Sequence, residues 1–298
     1  MRGDKMEKNY KMGVLYGLGA YLLWGVLPVY WKLLQHVDAM EILASRFLWS
    51  AVFVFFLLIV SKKMTVFVQE TKAIFSTWKT SICMILAAIM ISFNWGIFIW
   101  AVEDGRIVET SMGYYINPLM NVLFGVVFLR ERLDKLQSAA VACAAIGIGV
   151  IIVKNGSLPW VSLTLPLTFA LYALLKKIIV AQALTSIMLE TLLMSPLAAG
   201  YLYYLAQHGG NVYQSCDTQT LLLLAGAGAA TATPLLLFTA CARKLPLNLV
   251  GFLQYIAPSI TLLLGVFVYG EPFNNTIATA FGCIWFGLAL FIWSQVKK

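Results

Sequence analysis

Two side chains carry charge inside runs of sequence that are otherwise apolar. Arg46 lies in the run 39–61 and Glu190 in the run 185–206. A guanidinium is a planar fork that clamps a carboxylate or phosphate through two parallel hydrogen bonds. A carboxylate in an apolar run can take a proton or bind an amine. Each has a plainer reading, because the two can also form a structural ion pair, and a long arginine can snorkel to an interface. Glu41 is five residues from Arg46, roughly 140° around a helix, so these two do not pair directly. With Asp38 it reads instead as a capping box for the helix that follows. A third feature is a polar stripe. Tyr114, Asn117 and Asn121 recur at i, i+3 and i+7 and share one helical face. Such a stripe lines a solvated cavity or hydrogen-bonds neighbouring helices. Aromatic residues at mid-run, Trp24, Tyr172 and Tyr255 among them, can stack on an aromatic or cationic solute, or pack against lipid and protein.

Helices in a bilayer are what the rest of the chain can supply to hold these groups. Apolar residues make up 61% of the 298 and charged residues 11%, and the mean hydropathy is +0.84. A soluble domain is nearer half apolar and a quarter charged. Runs near 13–34, 39–61, 79–101, 107–129, 134–153, 159–180, 185–206, 218–241, 246–269 and 275–295 are each about long enough to span the hydrocarbon core. The first contains Trp24 and Pro28 and lacks a small-x-small cleavage site, so it reads as a span and not as a signal peptide. Pro159, Pro246 and Pro272 fall at helix starts, where a missing N–H costs little.

The net charge of +8 does not point to nucleic acid. The basic residues sit in short loops, and no basic face carries interleaved aromatics. With the N-terminus inside, every Lys and Arg falls on the cytoplasmic side except Lys32, Arg46, Arg106 and Lys154. Ten spans with both ends cytoplasmic satisfy that bias.

The chain also matches itself at an offset of 140 residues. Tyr115, Ile116, Pro118, Leu123, Gly125, Val126, Glu131, Ala140, Cys143 and Gly147 recur as Tyr255, Ile256, Pro258, Leu263, Gly265, Val266, Glu271, Ala280, Cys283 and Gly287. The loop cations Arg130, Arg132 and Lys135 are not repeated, since Gly270, Pro272 and Asn275 stand there. Two five-helix units, 1–155 and 156–298, inserted with opposite topology, account for both facts. The expected fold is an all-α integral membrane protein with ten transmembrane helices as two inverted repeats. Gln254, Ala257 and Thr261 are the mates of the polar stripe, and Pro118 and Pro258 would loosen both helices at equivalent depth. The run Ala225-Gly226-Ala227-Gly228-Ala229-Ala230 reads as a close-packing face.

Several chemistries lack their motifs. No Walker A, HExxH, GxSxG or CxxC sequence occurs. Cys83, Cys143, Cys241 and Cys283 fall in or at the ends of spans and Cys216 is alone in an outer loop, so no disulfide is expected. His36 and His208 lie far from any acidic or cysteine cluster, and no metal site is expected.

The segments Trp24-Gly25…Lys32, Phe93-Asn94-Trp95, Gly113-Tyr114-Tyr115-Ile116-Asn117-Pro118, Gly125 to Glu131 and Gly251 to Glu271 resemble the drug/metabolite transporter superfamily. Within it the chain is similar to the EamA-domain permeases of RarD type, over nearly its whole length. The resemblance implies a two-EamA-domain, ten-helix permease of the bacterial inner membrane; with the motifs above absent, no cofactor and no enzymatic activity are expected. The RarD name is attached to chloramphenicol sensitivity, and relatives export amino acids and other metabolites. The reading that follows is a secondary transporter exporting small amphipathic metabolites, amino-acid-like solutes or drugs by alternating access through a cavity between the repeats. A passive facilitator and a lipid-handling membrane protein are the alternatives. Its partners are a small-molecule solute and the lipid bilayer, not nucleic acid. The candidate solute contacts are Trp24, Arg46, Asn94, Tyr114, Asn117, Asn121, Tyr172, Glu190, Gln254 and Tyr255, with Pro118 and Pro258 as candidate gating positions.

Overall fold

The computed structural model describes residues 2–129, 133–156, 158–176, 178–215, 217–242, 244–245 and 253–296. Glu131, Cys216, Pro246, Gly251 and the side chain of Asn121 lie outside them. Among the described residues the chain is helical, without strands. The helices are α1 (Arg2–Lys32), α2 (Ala39–Val60), α3 (Met64–Phe75), α4 (Trp78–Glu103), α5 (Ile107–Leu129) and α6 (Lys135–Asn155). They continue as α7 (Trp160–Lys176), α8 (Ala183–Gln207), α9 (Val212–Ser215), α10 (Thr218–Ala242), α11 (Ile256–Leu263) and α12 (Asn275–Val296), with a π turn, Leu264–Val268, extending α11. Among the described residues, seven helices are long and apolar enough to cross a membrane, and Trp160–Lys176 and Ile256–Val268 are shorter apolar helices.

Helix α2 illustrates how these segments divide their faces. Ile42, Arg46, Ser50, Val54 and Leu58, at i+4 steps, are all buried. Val52, Phe55, Phe56, Ile59 and Val60 are exposed, as a lipid-facing stripe would be. Two elements depart from the apolar-run reading. The polar stretch after α2 folds as the short helix α3, whose Met64, Phe67 and Ile74 pack inward. The anticipated capping box at α2 is not formed. Asp38 caps alone, accepting from Met40 N at 2.9 Å. Glu41, buried where few donors reach it, instead accepts from Val212 N at 2.9 Å, the free N–H that opens α9. A capping box does form at α6, between Asp134 and Gln137.

The helices pair in a pattern that repeats. If α1, α2, α4, α5 and α6 are matched in order with α7, α8, α10, α11 and α12, each main pairing has a counterpart. Helix α1 packs on α10 and α11, and α7 packs on α4 and α5. Helix α2 packs on its own mate α8, and α6 on its mate α12. The α6–α12 contact is reciprocal at atomic scale. A Cβ on Gly147 would stand 2.8 Å from Ala280 O and 3.2 Å from Cys283 Cβ. A Cβ on Gly287 would stand 2.7 Å from Ala140 O and 3.1 Å from Cys143 Cβ. Small residues let backbones approach in this way. The alanine-glycine run does the same on α10, where a side chain on Gly228 would collide with the Trp49 backbone on α2.

Candidate functional site

Arg46 points into protein, not to an interface, and is 5% exposed. Its Nε donates to Thr231 Oγ1 on α10 at 2.7 Å, and Thr231 in turn donates to Ala227 O. The guanidinium carbon lies 3.9 Å from the centre of the Trp95 ring and 5.2 Å from that of Trp31, so indoles from α4 and α1 flank it. Ring faces attract a cation. Trp95 also stacks on Phe47 at 5.9 Å. No carboxylate pairs with Arg46 among the described residues, and the ionisable group acting on it is the Tyr114 phenol. Trp31 Nε1, Ser45 Oγ and Ser50 Oγ are buried nearby in the sequence of these helices and lack hydrogen-bond partners.

The Arg46–Glu190 ion pair is therefore not formed. Glu190, 2% exposed, accepts from Lys176 Nζ at 2.7 Å, from the Tyr172 hydroxyl at 3.1 and 3.3 Å, and from Ser186 Oγ at 3.4 Å. By position in the sequence, Lys176 is a loop cation at the end of an apolar run. Its stem instead runs along the last turn of α7 and delivers the ammonium to α8.

The remaining candidates separate into groups. Tyr114 sits edge-on to Phe98 at 5.7 Å, on the Arg46 side of α5, and Asn117 Oδ1 is buried without a partner. Tyr255 bonds Gln254 and stacks on Tyr115, its own repeat mate, at 6.1 Å and 15°. Pro118 lies inside α5, and Pro258 O on α11 accepts from Ser111 Oγ of α5 at 2.7 Å. Asn94 donates to Leu165 O at 2.8 Å and Thr168 Oγ1 at 3.0 Å, which ties α4 to α7. Trp24 packs on Tyr21 and Phe238, at 5.4 and 5.8 Å. The structure thus gathers Arg46, Tyr114, Trp31, Trp95 and Thr231, and separately Tyr172, Glu190 and Lys176. It gives Asn94 and Trp24 packing contacts of their own.

One polar junction has no counterpart in the candidate set. The Glu271 carboxylate accepts from Ile107 N at 2.7 Å and Val108 N at 2.8 Å, capping the start of α5 from the loop after the π turn. Burial raises the Glu271 carboxyl above its ordinary value, against the downward pull of those two N–H groups and of Lys32. Lys32 lies over the Tyr269 ring at 5.7 Å. Its only sequence signal is the Glu131/Glu271 identity in the repeat.

Comparison with known proteins agrees with this architecture. Residues 11–153 match the model of the EamA-like transporter family. The chain is 45% identical over 287 residues to "Uncharacterized transporter YojE" of Bacillus subtilis, covering 96% of this chain and 95% of the relative. It is 38% identical over 289 residues to "Protein RarD" of Escherichia coli, covering 97% and 96%. It is 33% identical over 285 residues to "Chloramphenicol-sensitive protein RarD" of Pseudomonas aeruginosa, covering 96% and 95%. A solved structure titled "Crystal structure of protein" superposes with a TM-score of 0.61 at 17% identity over 94% of this chain and 97% of that one, a likeness of fold. With full-length relatives at these identities, the chain belongs to the EamA-like transporter family, as a multi-pass membrane transporter of the RarD type.

Proposed function

We propose that this transporter is a secondary, ten-span permease of the bacterial inner membrane that exports small amphipathic metabolites, amino-acid-like solutes or drugs by alternating access. In this reading 1–155 and 156–298 are inverted repeats, both termini are cytoplasmic, and the solute path runs between them. The observation that carries it is the repeated pairing, in which α1 packs on α10 and α11 as α7 packs on α4 and α5. Elements that exchange partners across halves can rock as two bodies about a site at their interface. The loop charges support the orientation.

Two measurements test the proposal. Cysteine placed by Lys135→Cys should label only from the cytoplasm, and by Asn275→Cys only from outside. Labelling of both from one side refutes the inverted repeat. For transport, purified protein is screened by thermal shift against amino acids, nucleosides and drugs, since a ligand of the native state raises its stability. Chloramphenicol is included because one relative is named for sensitivity to it. Stabilising solutes are then followed in proteoliposomes. Accumulation driven by an imposed ion gradient supports the proposal. Equilibration without accumulation identifies a passive facilitator, and absence of flux refutes transport of those solutes.

A further inference from the structure

A charge held among transmembrane helices needs an opposing charge, water or a ligand, and Arg46 and Glu190, both buried within long helices, differ in that respect. Glu190 is charge-paired, with Lys176 at 2.7 Å and the Tyr172 and Ser186 hydroxyls besides. Arg46 is not. Its Nε is used by Thr231, its guanidinium carbon lies over the Trp95 and Trp31 rings, and its two terminal nitrogens donate to no described group. Trp31, whose ring is 5.2 Å from the guanidinium, has an Nε1–H that is buried and likewise unused. Ser50, one turn from Arg46 on the same face of α2, has a buried hydroxyl without a partner. A cationic fork set over the Trp95 and Trp31 rings, with an unpartnered buried N–H and O–H on the same helices, supplies the kinds of donor and apolar surface that an anion with an apolar body would use. Guanidinium nitrogens meet the two oxygens of a carboxylate in one plane.

We infer that Arg46 is the carboxylate-binding residue of the solute path, and that the solutes carried are small organic anions with an apolar body. This rests on the transporter reading and narrows it. The ammonium of an amino acid would have to compete for Glu190 with the Lys176 ammonium that already pairs with it at 2.7 Å. The solute is itself the missing counter-ion of Arg46.

The test uses the full chain, purified in a neutral detergent, with phenylacetate as probe and phenylacetamide as its uncharged isostere. Phenylacetate should raise the unfolding midpoint saturably, and phenylacetamide should not. Arg46→Gln should weaken phenylacetate binding at least about tenfold, which is about 1.4 kcal/mol. Arg46→Lys, which keeps the charge but not the fork, should recover little of it. If Arg46→Gln does not fold, the wild-type protein still decides. Phenylacetate should change tryptophan fluorescence where phenylacetamide does not, and Trp95→Phe should remove most of that change. Equal stabilisation by phenylacetamide overturns the inference, as does phenylacetate binding that survives Arg46→Gln. An anionic lipid that reproduces the Arg46-dependent shift assigns the site to a headgroup and also overturns it. The two readings fail separately. Flux of neutral solutes independent of Arg46 sinks the anion site alone, whereas Arg46-dependent binding without flux of any bound solute sinks the transporter reading alone.

Discussion

Consider one methyl group added at Gly147. In Gly147→Ala the new Cβ falls 2.8 Å from Ala280 O and 3.2 Å from Cys283 Cβ. Carbon-to-carbonyl contacts settle at about 3.3 Å or more, so α6 and α12 must part by about 0.5 Å. Overpacking of this kind costs about 2–3 kcal/mol, and alanine returns about 1 kcal/mol of helix propensity over glycine. The net loss is about 1–2 kcal/mol. Gly287→Ala should lose the same amount, because its Cβ meets Ala140 O at 2.7 Å and Cys143 Cβ at 3.1 Å. The double variant is the informative one. A single separation of the helices relieves both clashes, while the propensity gain counts twice, so the pair should lose only about 0–1 kcal/mol. Thermal unfolding of the purified variants, followed by a thiol-reactive dye on the buried Cys83 and Cys241, reads these midpoints. A double variant that loses the sum of the two singles refutes the shared interface. So does a Gly147→Ala protein as stable as the parent.

Four further outcomes follow from the geometry. Removing one partner of the Lys176–Glu190 pair, by Lys176→Met or Glu190→Gln, should destabilise by about 3–5 kcal/mol, and a Lys176→Met, Glu190→Leu double variant should recover much of that; equal losses in all three would contradict the pairing. Asn94→Leu should cost about 1–3 kcal/mol through Leu165 O and Thr168 while leaving phenylacetate affinity unchanged, and a specific loss of affinity would return Asn94 to the binding set. Because the folded Glu271 carboxyl is raised, its contribution to stability is complete below the ordinary glutamate range and is lost as pH rises through the raised value; Glu271→Gln should remove that part of the stability–pH curve, measured against the parent. Pro118→Ala and Pro258→Ala should bias the protein toward opposite-facing states, and identical shifts in spin-label distances across both mouths would count against that.

Apolar run length was a good guide to where helices lie, and a poor one elsewhere. Helix α3 is invisible to it because Met64, Phe67 and Ile74 alternate with Lys72, Glu70 and Gln69, an amphipathic pattern without an apolar run. Glu41 has cap spacing, yet the donor it meets lies 171 residues away on α9. Periodicity states which face of a helix is polar, but not which helix it meets. Arg46 could be seen to lack an acid one turn away, since Ile42 and Ser50 occupy those places. Its partners Thr231, Trp95 and Trp31 come from three other helices, and nothing local announces them. Lys176 was hidden differently, because a cation at the end of an apolar run serves equally as a topology signal and as a buried partner. The offset of 140 residues was more informative than any single motif. It matches Tyr115 with Tyr255 and Gly147 with Gly287, and the fold brings the first pair into stacking and the second onto one interface.

Reciprocal contacts of this kind are the ones two identical molecules make across a two-fold interface. In an isologous dimer, whatever residue i does to j, j does to i. Gly147 against Ala280 with Gly287 against Ala140, and Tyr115 against Tyr255, obey that rule within a single chain. Two separate copies of one such segment, meeting face to face, would make these same contacts as a homodimer. The rule does not extend to the buried charges, since α2 carries an arginine among indoles while α8 carries a carboxylate closed by a lysine.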